Sequence, residues 1–270
     1  MQNKVAIITG ASKGIGRNTA LEFAKAGFNL VVVARSRPEL EDLCKELAAS
    51  YQRECVVCSG DLADMDFVAS IPDTAVREFG RIDVLVNNAA WRTIETMRTI
   101  ELSTWEKTLK ICLTSPAFLA QKCAAVMESQ RISGAVINVS SVMAQKAGGN
   151  SPAYISCKGA LDSLTKELAV TYGRSGIRFV CVKPGYIDTD LSSDYSSTTG
   201  EKVDTQMADE LLDFLPLKRA GQSDEVAKAI RWLASDEATY LTGCELVIDG
   251  GLTTNFNSYR IKNIQFPNEY

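Results

Sequence analysis

Short apolar runs alternate with amphipathic stretches along most of the 270 residues, and this alternation restricts the possible folds more than any other feature. The runs are continuous and rich in valine and isoleucine, which is typical of strands buried on both faces of a sheet. Such an alternation predicts an α/β fold with a parallel sheet, right-handed crossovers and helices on both faces. The predicted strands are Val5–Thr9, Leu30–Ala34, Glu54–Ser59, Val84–Asn87, Ala135–Ser140, Arg178–Lys183 and Glu245–Ile248. The predicted helices lie near Ile15–Ala26, Arg37–Tyr51, Met65–Phe79, Thr104–Glu128, Ala153–Arg174 and Ser223–Ala234.

The sequence contains no repeat, linker or change of composition, so we predict a single domain over residues 1–255. Two segments depart from the alternation. Residues 189–215 follow the carboxyl end of a strand as a polar stretch with a short helical pattern, Thr205–Phe214, and we expect them to cover a substrate. A C-terminal tail, residues 256–270, would be frayed by default, but its apolar and aromatic side chains indicate that it docks on another surface.

Histidine is absent from the sequence. This excludes Ser-His-Asp and Cys-His catalysis and every histidine-ligated metal, so acid or base chemistry must use tyrosine, lysine, aspartate, glutamate or cysteine. The only CxxC pair, Cys55 and Cys58, lies in a predicted strand, where residues three apart point to opposite faces and cannot share a metal. We therefore expect no metal site, and we expect reduced cysteines that pack as small apolar residues.

The charge and the hydropathy pattern bear on the partners of the protein. A net charge of −4 does not favour nucleic acid, and no apolar run approaches the ~20 residues that a membrane span needs. The sequence reaches its first predicted strand at Val5, which leaves no room for a signal peptide. We expect a cytoplasmic protein that binds neither membrane nor nucleic acid.

A glycine-rich turn joins the first predicted strand to the first predicted helix, with the sequence Thr9-Gly10-Ala11-Ser12-Lys13-Gly14-Ile15-Gly16. Such glycines let the backbone turn tightly and approach a pyrophosphate, and the helix N-terminus supplies N–H groups and a positive dipole end. A P-loop NTPase is disfavoured because the sequence lacks GK[ST] at this point. Glycines also occur in turns for structural reasons alone, but the position between a strand and a helix favours a dinucleotide site.

The end of the second predicted strand indicates which dinucleotide binds. NAD-binding folds place a carboxylate there, which holds the ribose 2′-hydroxyl. This sequence has Ala34-Arg35-Ser36-Arg37 instead, and a guanidinium suits a 2′-phosphate. Lys13 of the glycine-rich turn is expected near the same phosphate. The alternative is that both arginines are solvated surface residues, but their position at the adenosine end favours NADP(H) as the cofactor.

Tyr154 and Lys158 are four residues apart on a predicted helix and therefore share one face. A free tyrosine is a poor acid or base at neutral pH, and a neighbouring ammonium favours the phenolate form. The pair makes Tyr154 a workable proton donor in a protein without histidine. Ser141 follows the carboxyl end of a predicted strand, where a hydroxyl can stabilise the oxyanion that forms when a carbonyl accepts hydride. We predict that Ser141, Tyr154 and Lys158 are the catalytic residues.

The sequence resembles the short-chain dehydrogenase/reductase family over residues 4–255. An ordered set of motifs carries the resemblance: Thr9-Gly-Ala-Ser-Lys-Gly-Ile-Gly16, Asp61, Asn87-Asn88-Ala89-Ala90, Ser141, Tyr154-Ile-Ser-Cys-Lys158, Pro184-Gly185-Tyr-Ile187-Asp-Thr189 and Asp249-Gly250-Gly251. Within the family, the sequence is most similar to the 3-oxoacyl-carrier-protein-reductase-like branch. The resemblance implies a Rossmann-type, doubly wound sheet of seven parallel strands in the order 3-2-1-4-5-6-7, and a homotetramer.

The resemblance also implies roles for residues around the cofactor. Asp61 would contact the adenine amino group with Leu62 alongside, and Asn87 would contact the adenosine ribose. Ile187 and Thr189 would hold the nicotinamide carboxamide, and Lys158 would also bind the nicotinamide ribose. The implied cofactor-binding residues are Gly10, Ser12, Lys13, Gly14, Ile15, Gly16, Arg35, Asp61, Leu62, Asn87, Tyr154, Lys158, Pro184, Gly185, Ile187 and Thr189.

One position departs from the family pattern. Seven residues after Trp105, where the family usually has an asparagine that helps to hold a proton-relaying water, this sequence has Cys112. A thiol is a weak hydrogen-bond donor and acceptor. Either the relay still runs through this position, or the site has repacked around the thiol.

The leading hypothesis is an enzyme that uses NADPH to reduce a ketone to a secondary alcohol, or catalyses the reverse oxidation, with Tyr154 as the proton donor. The alternative is a non-catalytic NADP-binding or scaffold protein of the same fold, which only the Cys112 departure favours. The substrate pocket is expected to involve Trp91, Arg92, Ser141, Met143, Tyr186 and the 189–215 segment.

Overall fold

The computed structural model describes residues 3–190 and 204–270. Its strands are β1 Val5–Thr9, β2 Asn29–Ala34, β3 Cys55–Ser59, β4 Val84–Asn87, β5 Ala135–Val139, β6 Arg178–Pro184, β7 Ile187–Asp188, β8 Gly221–Gln222 and β9 Glu245–Ile248. Its α-helices are α1 Gly14–Lys25, α2 Arg37–Tyr51, α3 Met65–Phe79, α4 Leu102–Leu109, α5 Ser115–Ser129, α6 Pro152–Tyr172, α7 Asp204–Leu212, α8 Ser223–Leu233 and α9 Tyr259–Gln265.

The main sheet has seven parallel strands in the order β3-β2-β1-β4-β5-β6-β9. This confirms the expected doubly wound topology, with β9 as the seventh strand. The short strands β7 and β8 pair with each other in a separate two-stranded sheet that the sequence analysis did not predict. Beyond β6, the chain therefore makes an excursion before it returns to the main sheet.

Apolar residues on alternate sides of each strand build two cores, one on each face of the sheet. In β1, Val5 and Ile7 belong to one core, while Ala6 and Ile8 belong to the other. Helices α3, α5 and α6 cover the first core, and α1, α2 and α8 cover the second. All five residues of β1 are buried, as expected for a continuous apolar strand between two helical layers.

The prediction of one continuous helix over Thr104–Glu128 is wrong. The π-helical segment Lys110–Thr114 separates α4 from α5. Both the backbone N–H and the hydroxyl of Ser115 bond the carbonyl of Lys110, five residues earlier, and the hydroxyl bond is 2.8 Å long. Pro116 has no N–H with which to resume the α-helical pattern at that point. The result is a local bulge that contains Cys112.

The expectation that all cysteines are reduced is also wrong. Cys44 in α2 and Cys55 at the start of β3 form a disulfide, with their Cα atoms 5.2 Å apart. The chain reverses just after α2 through Gln52, whose φ of 55° is left-handed, so the end of the helix lies beside the beginning of the strand. The remaining cysteines are free thiols: Cys58, Cys112, Cys123, Cys157, Cys181 and Cys244.

The two segments outside the regular alternation are partly described. The expected covering segment 189–215 includes residues 191–203, which lie outside the described residues. Its later part forms α7, slightly earlier than the predicted Thr205–Phe214. The tail contains α9, which begins after the capping residue Ser258. No helix within residues 3–190 and 204–270 is both long and apolar enough to span a membrane.

Candidate active site

Two adjoining cavities lie at the carboxyl ends of the central strands. The larger cavity, of about 590 Å³, is lined by the glycine-rich turn after β1 and by residues that follow β2 and β3. The smaller cavity, of about 200 Å³, is lined by residues that follow β5 and β6. Asn88 and Ala90, which follow β4, line both cavities. Ligands of doubly wound sheets bind in this position, where the strand order reverses between β1 and β4.

The glycine-rich turn packs tightly against the segment after β4. Gly10 has a φ of +66°, and a Cβ there would lie 2.8 Å from the amide nitrogen of Asn88. The same Asn88 amide donates hydrogen bonds to the carbonyls of Thr9, at 2.9 Å, and Gly10, at 3.3 Å. A Cβ on Gly16 would lie only 2.2 Å from the carbonyl oxygen of Gly10. Glycine is therefore required at both positions for the turn to close over the start of α1.

The start of α1 fits a phosphate group. Within the described residues, no side chain caps its first turn, so the N–H groups there remain available to a ligand. Gly14, with a φ of +56°, opens the helix, and the side chain of Thr189 lies 3.3 Å from where a Cβ on Gly14 would be. The N–H groups of the turn and of the helix N-terminus are suitable hydrogen-bond donors for the pyrophosphate of a dinucleotide. The adjoining cavity is large enough to hold that pyrophosphate.

Most of the residues implied at the adenosine end line the larger cavity: Gly10, Ser12, Lys13, Gly14, Arg35, Asp61 and Leu62. Asn87 does not line either cavity. It is 2% exposed, and its amide nitrogen bonds the carbonyl of Pro116 at 3.2 Å and the side chain of Asn138 at 2.9 Å. The neighbouring Asn88 faces the cavities instead. Asn88 belongs to the motif Asn87-Asn88-Ala89-Ala90, but no role for it was predicted from the sequence.

The two basic residues proposed for a 2′-phosphate have different surroundings. Arg35 is exposed at the end of β2 and makes no ion pair within residues 3–190 and 204–270. Lys13 pairs with Asp190 at 2.6 Å, and this hydrogen bond holds the pKa of the Asp190 carboxyl below its usual value. The charge of Lys13 is therefore partly neutralised, whereas no ion pair within the described residues offsets the charge of Arg35.

Ser141, Tyr154 and Lys158 line the smaller cavity together. Their exposed fractions are 8%, 7% and 2%. The ammonium of Lys158 donates a hydrogen bond to the carbonyl of Val139 at 2.6 Å and lies 5.3 Å from the centre of the Tyr154 ring. The hydroxyl of Ser140 bonds the carbonyl of Lys158 at 3.1 Å and thereby fixes α6 against the end of β5. The three residues predicted to be catalytic, Ser141, Tyr154 and Lys158, therefore lie together at one cavity.

Ser141 is oriented by the turn that follows β5. Its Oγ accepts a hydrogen bond from the N–H of Met143 at 3.1 Å and caps the 3-10 turn Val142–Ala144. This bond uses the oxygen as an acceptor, so the hydroxyl proton can be donated to a carbonyl oxygen of a bound ligand. The group combines a hydrogen-bond donor, a phenol and an ammonium in one small cavity, and these are the groups needed to stabilise and protonate an oxyanion.

The walls around this group are mainly apolar. Of the pocket residues expected from the sequence, Arg92, Ser141, Met143 and Tyr186 line the smaller cavity, together with the implied cofactor residues Ile15, Pro184, Gly185 and Ile187. Trp91 lines the larger cavity instead. Leu211 of α7, which belongs to the 189–215 segment expected at the pocket, and Leu252, which was not expected there, also line the smaller cavity. Helical periodicity could place Leu211 on an apolar face but could not say where α7 would dock.

Cys112, in the π-helical segment, bonds the backbone of Trp91. Its Sγ accepts from the N–H of Trp91 at 3.3 Å and donates to the carbonyl of the same residue at 3.4 Å. The thiol is 1% exposed. Nearby, burial raises the pKa of the Cys157 thiol to about 12, so Cys157 stays protonated at neutral pH. Both hydrogen-bonding roles of Cys112 are thus used on Trp91, which favours a repacked site.

We expect Cys112→Asn to lower the free energy of unfolding by about 1–3 kcal/mol, because a larger amide must find partners in a closed site. Turnover should not rise. Cys112→Ser, which keeps one donor and one acceptor, should be closer to wild type. Denaturant unfolding and the pH dependence of turnover measure both effects. An Asn variant of unchanged stability that is faster at mildly alkaline pH would show instead that the proton relay runs through this position.

Comparison with known proteins agrees with this geometry. A family model described as enoyl-(acyl carrier protein) reductase matches residues 10–253. Glucose 1-dehydrogenase 2 of Bacillus subtilis (strain 168) is 33% identical over 254 residues, which cover 94% of this chain and 96% of that protein. A 3-oxoacyl-[acyl-carrier-protein] reductase of Staphylococcus epidermidis is 32% identical over 251 residues, covering 93% of this chain and 99% of that protein. The crystal structure of L-sorbose reductase from Gluconobacter frateurii, complexed with NADPH and L-sorbose, superimposes with a TM-score of 0.87 at 28% identity and covers 95% of this chain and 98% of that chain. The resemblance seen in the motifs is therefore confirmed, and the chain belongs to the short-chain dehydrogenase/reductase family of nicotinamide-dependent oxidoreductases.

Proposed function

We propose that the protein reduces a ketone to a secondary alcohol with NADPH, or catalyses the reverse oxidation. The observation that carries this proposal is the convergence of Ser141, Tyr154 and Lys158 on one small cavity that adjoins the glycine-rich phosphate site. The cavity volume of about 200 Å³ and its apolar walls suit a small ketone rather than a polymer. We further propose, from the family resemblance, a homotetramer.

NADPH, when bound in the larger cavity, would supply the hydride for the carbonyl carbon of the ketone. Ser141 donates a hydrogen bond to the carbonyl oxygen as negative charge develops there. Tyr154 transfers its phenolic proton to that oxygen and so completes the alcohol. Lys158 lies beside the ring of Tyr154 and stabilises the resulting phenolate through its positive charge. Ser141 and Tyr154 thus act directly on the carbonyl oxygen of the ketone, and Lys158 acts on it through Tyr154.

Preference for NADP(H) over NAD(H) is supported by the residue that follows β2. Arg35 stands where NAD-binding folds place a carboxylate, and it lines the larger cavity. L-sorbose reductase, which has a similar fold, was solved with NADPH. A guanidinium binds a phosphate through charge-assisted hydrogen bonds, which have no equivalent in a complex with NADH.

Arg35→Ala is therefore expected to raise the Kd for NADPH about tenfold or more, since a charge-assisted hydrogen bond contributes roughly 1.5–3 kcal/mol. The Kd for NADH should remain nearly unchanged. Arg37→Ala is the matched control, because Arg37 pairs with Glu41 on α2 at 3.4 Å and does not line the cavity. Calorimetric titration measures all the constants. Wild-type protein that binds NADH more tightly than NADPH would refute the cofactor assignment.

The experiment that tests the activity is a turnover assay with NADPH and a panel of small aliphatic and cyclic ketones. We expect consumption of NADPH with at least one ketone class and formation of the corresponding alcohol. Tight binding of NADPH without turnover on any of them would favour the non-catalytic alternative.

A further inference from the structure

The C-terminal tail lies beyond the family match, which ends at residue 253, yet it is bound firmly to the rest of the chain. The N–H of Tyr259 bonds the carbonyl of Asp213 at 2.9 Å, and the N–H of Arg260 bonds the carboxylate of Asp213 at 3.2 Å. The guanidinium of Arg260 pairs with Glu210 of α7 at 2.7 Å. The tail thus holds both α7 and the residue directly after it.

A second set of contacts joins the residues just before the tail to the catalytic side of the molecule. Asn255, 7% exposed, donates a hydrogen bond to the carbonyl of Phe214 at 2.7 Å and accepts one from Lys262 at 2.7 Å. Lys146 bonds the carbonyls of Leu252, at 3.0 Å, and Asn255, at 3.3 Å. Lys146 lies shortly after the turn that carries Ser141 and Met143. The tail therefore reaches the catalytic turn only indirectly, through the bond of Lys262 to Asn255.

The tail itself is organised around Lys262. The ammonium of Lys262 lies 4.0 Å from the ring centre of Tyr259 and 5.4 Å from that of Tyr270. The two rings pack edge to face with their centres 5.6 Å apart. Because Tyr270 takes part in this cluster, it is held against α9. The apolar side chains of Phe256 and Ile264 in the same tail remain exposed.

The position of α7 matters because Leu211 lines the catalytic cavity, as does Leu252. Leu211 lies directly after Glu210 and two residues before Asp213. The tail bonds both of these neighbours, Glu210 through an ion pair and Asp213 through a hydrogen bond. A shift of α7 would therefore move an apolar wall of the substrate site while leaving Tyr154 and Lys158 in place on α6.

We propose that residues 256–270 are a positioning element that fixes α7, and with it Leu211, against the catalytic cavity, and so determine which ketones fit. This inference rests on the proposed ketone reduction for its kinetic consequences. The chemical step itself does not involve the tail, because none of the tail residues lines the catalytic cavity within the described part of the chain.

The first test is truncation after Asn255. We expect the KM for a good ketone substrate to rise about tenfold, the loss expected when one leucine-sized apolar contact is given up. The value of kcat should change little, because the removed contact contributes to ground state and transition state alike. The Kd for NADPH should be unchanged. Hydrogen exchange of the α7 amides, compared between the full chain and the truncated chain, should accelerate upon truncation.

The second test reverses the ion pair between the tail and α7. Arg260→Glu and Glu210→Arg, each alone, place like charges together and should raise the ketone KM about threefold, within the modest range of exposed pairs. The double variant restores opposite charges and should recover the wild-type KM. Lys228→Glu is the control, because it breaks an exposed pair with Asp224 on α8, away from the tail.

The outcomes separate this inference from the proposed function. If no ketone is reduced by the full chain, the proposed function fails, and hydrogen exchange of α7 still decides the role of the tail. Unchanged α7 exchange after truncation would overturn the inference whatever the activity. An unchanged ketone KM and an unchanged ranking of ketones in the truncated chain would also overturn the inference. If truncation unfolds the protein, failure of the charge reversals to alter KM, or failure of the double variant to restore it, would overturn the inference.

Discussion

Tyr154→Phe is expected to abolish ketone reduction while NADPH still binds. The substitution removes only the phenolic oxygen, which is the proton donor in the proposed reaction. The ring itself is 7% exposed and packs within the core beneath α6, so phenylalanine keeps the apolar contacts. The Lys158 ammonium retains its bond to the carbonyl of Val139, and the architecture of the cavity should persist.

Turnover of NADPH in the presence of a ketone measures the first effect, and fluorescence titration of NADPH measures the second. The melting temperature serves as the control for folding. Near-normal rates in Tyr154→Phe, under conditions where chemistry limits turnover, would remove Tyr154 from the mechanism. Loss of NADPH binding together with activity would mean that the residue acts mainly in forming the site.

Ser141→Ala is expected to lower kcat by about 10²–10³, the usual cost of removing one donor to a developing oxyanion. The variant also loses the cap of the turn Val142–Ala144, because Oγ accepts the N–H of Met143. Removal of such a cap costs about 1 kcal/mol of stability, so a small fall in melting temperature should accompany the kinetic defect.

The control for Ser141→Ala is Ser156→Ala. Ser156 lies on the exposed side of α6, where its hydroxyl bonds the carbonyl of Pro152 at 2.9 Å, and it does not line the cavity. This variant should keep full activity. A Ser141→Ala protein with more than a tenth of wild-type kcat would show that the oxyanion is stabilised by other groups.

Much of the fold follows from patterns that are local in sequence. Strands β1, β4 and β9 have the predicted bounds. Each of them is a short run of mainly aliphatic residues, which the sequence pattern shows directly. The strand order came from the family resemblance and is confirmed by the observed sheet. The catalytic group could be predicted as well, since Tyr154 and Lys158 are one helical turn apart and Ser141 follows a strand at the same edge of the sheet.

Other features depend on contacts between distant segments or on the choice between two backbone hydrogen-bond patterns. These features could not be predicted from local sequence patterns. The π-helical segment Lys110–Thr114 has the same apolar spacing as the helices on either side, and only the bonds of Ser115 reveal it. Cys44 and Cys55 are brought together by a left-handed turn at Gln52, a geometry that cysteine spacing does not encode. Likewise, the hydrogen bond between Arg260 of the tail and Asp213 joins residues that are far apart in the sequence.

The central claim is that this chain catalyses hydride transfer to a ketone with protonation by Tyr154. The most direct measurement uses NADPH that carries deuterium at the transferable position of the nicotinamide, with mass spectrometry of the alcohol product. The wild-type protein should place one deuterium on the carbinol carbon of a small ketone, and Tyr154→Phe should give no alcohol although it binds NADPH. Alcohol without deuterium, or no alcohol from the NADPH-bound wild-type protein with any ketone of the panel, would contradict the proposal.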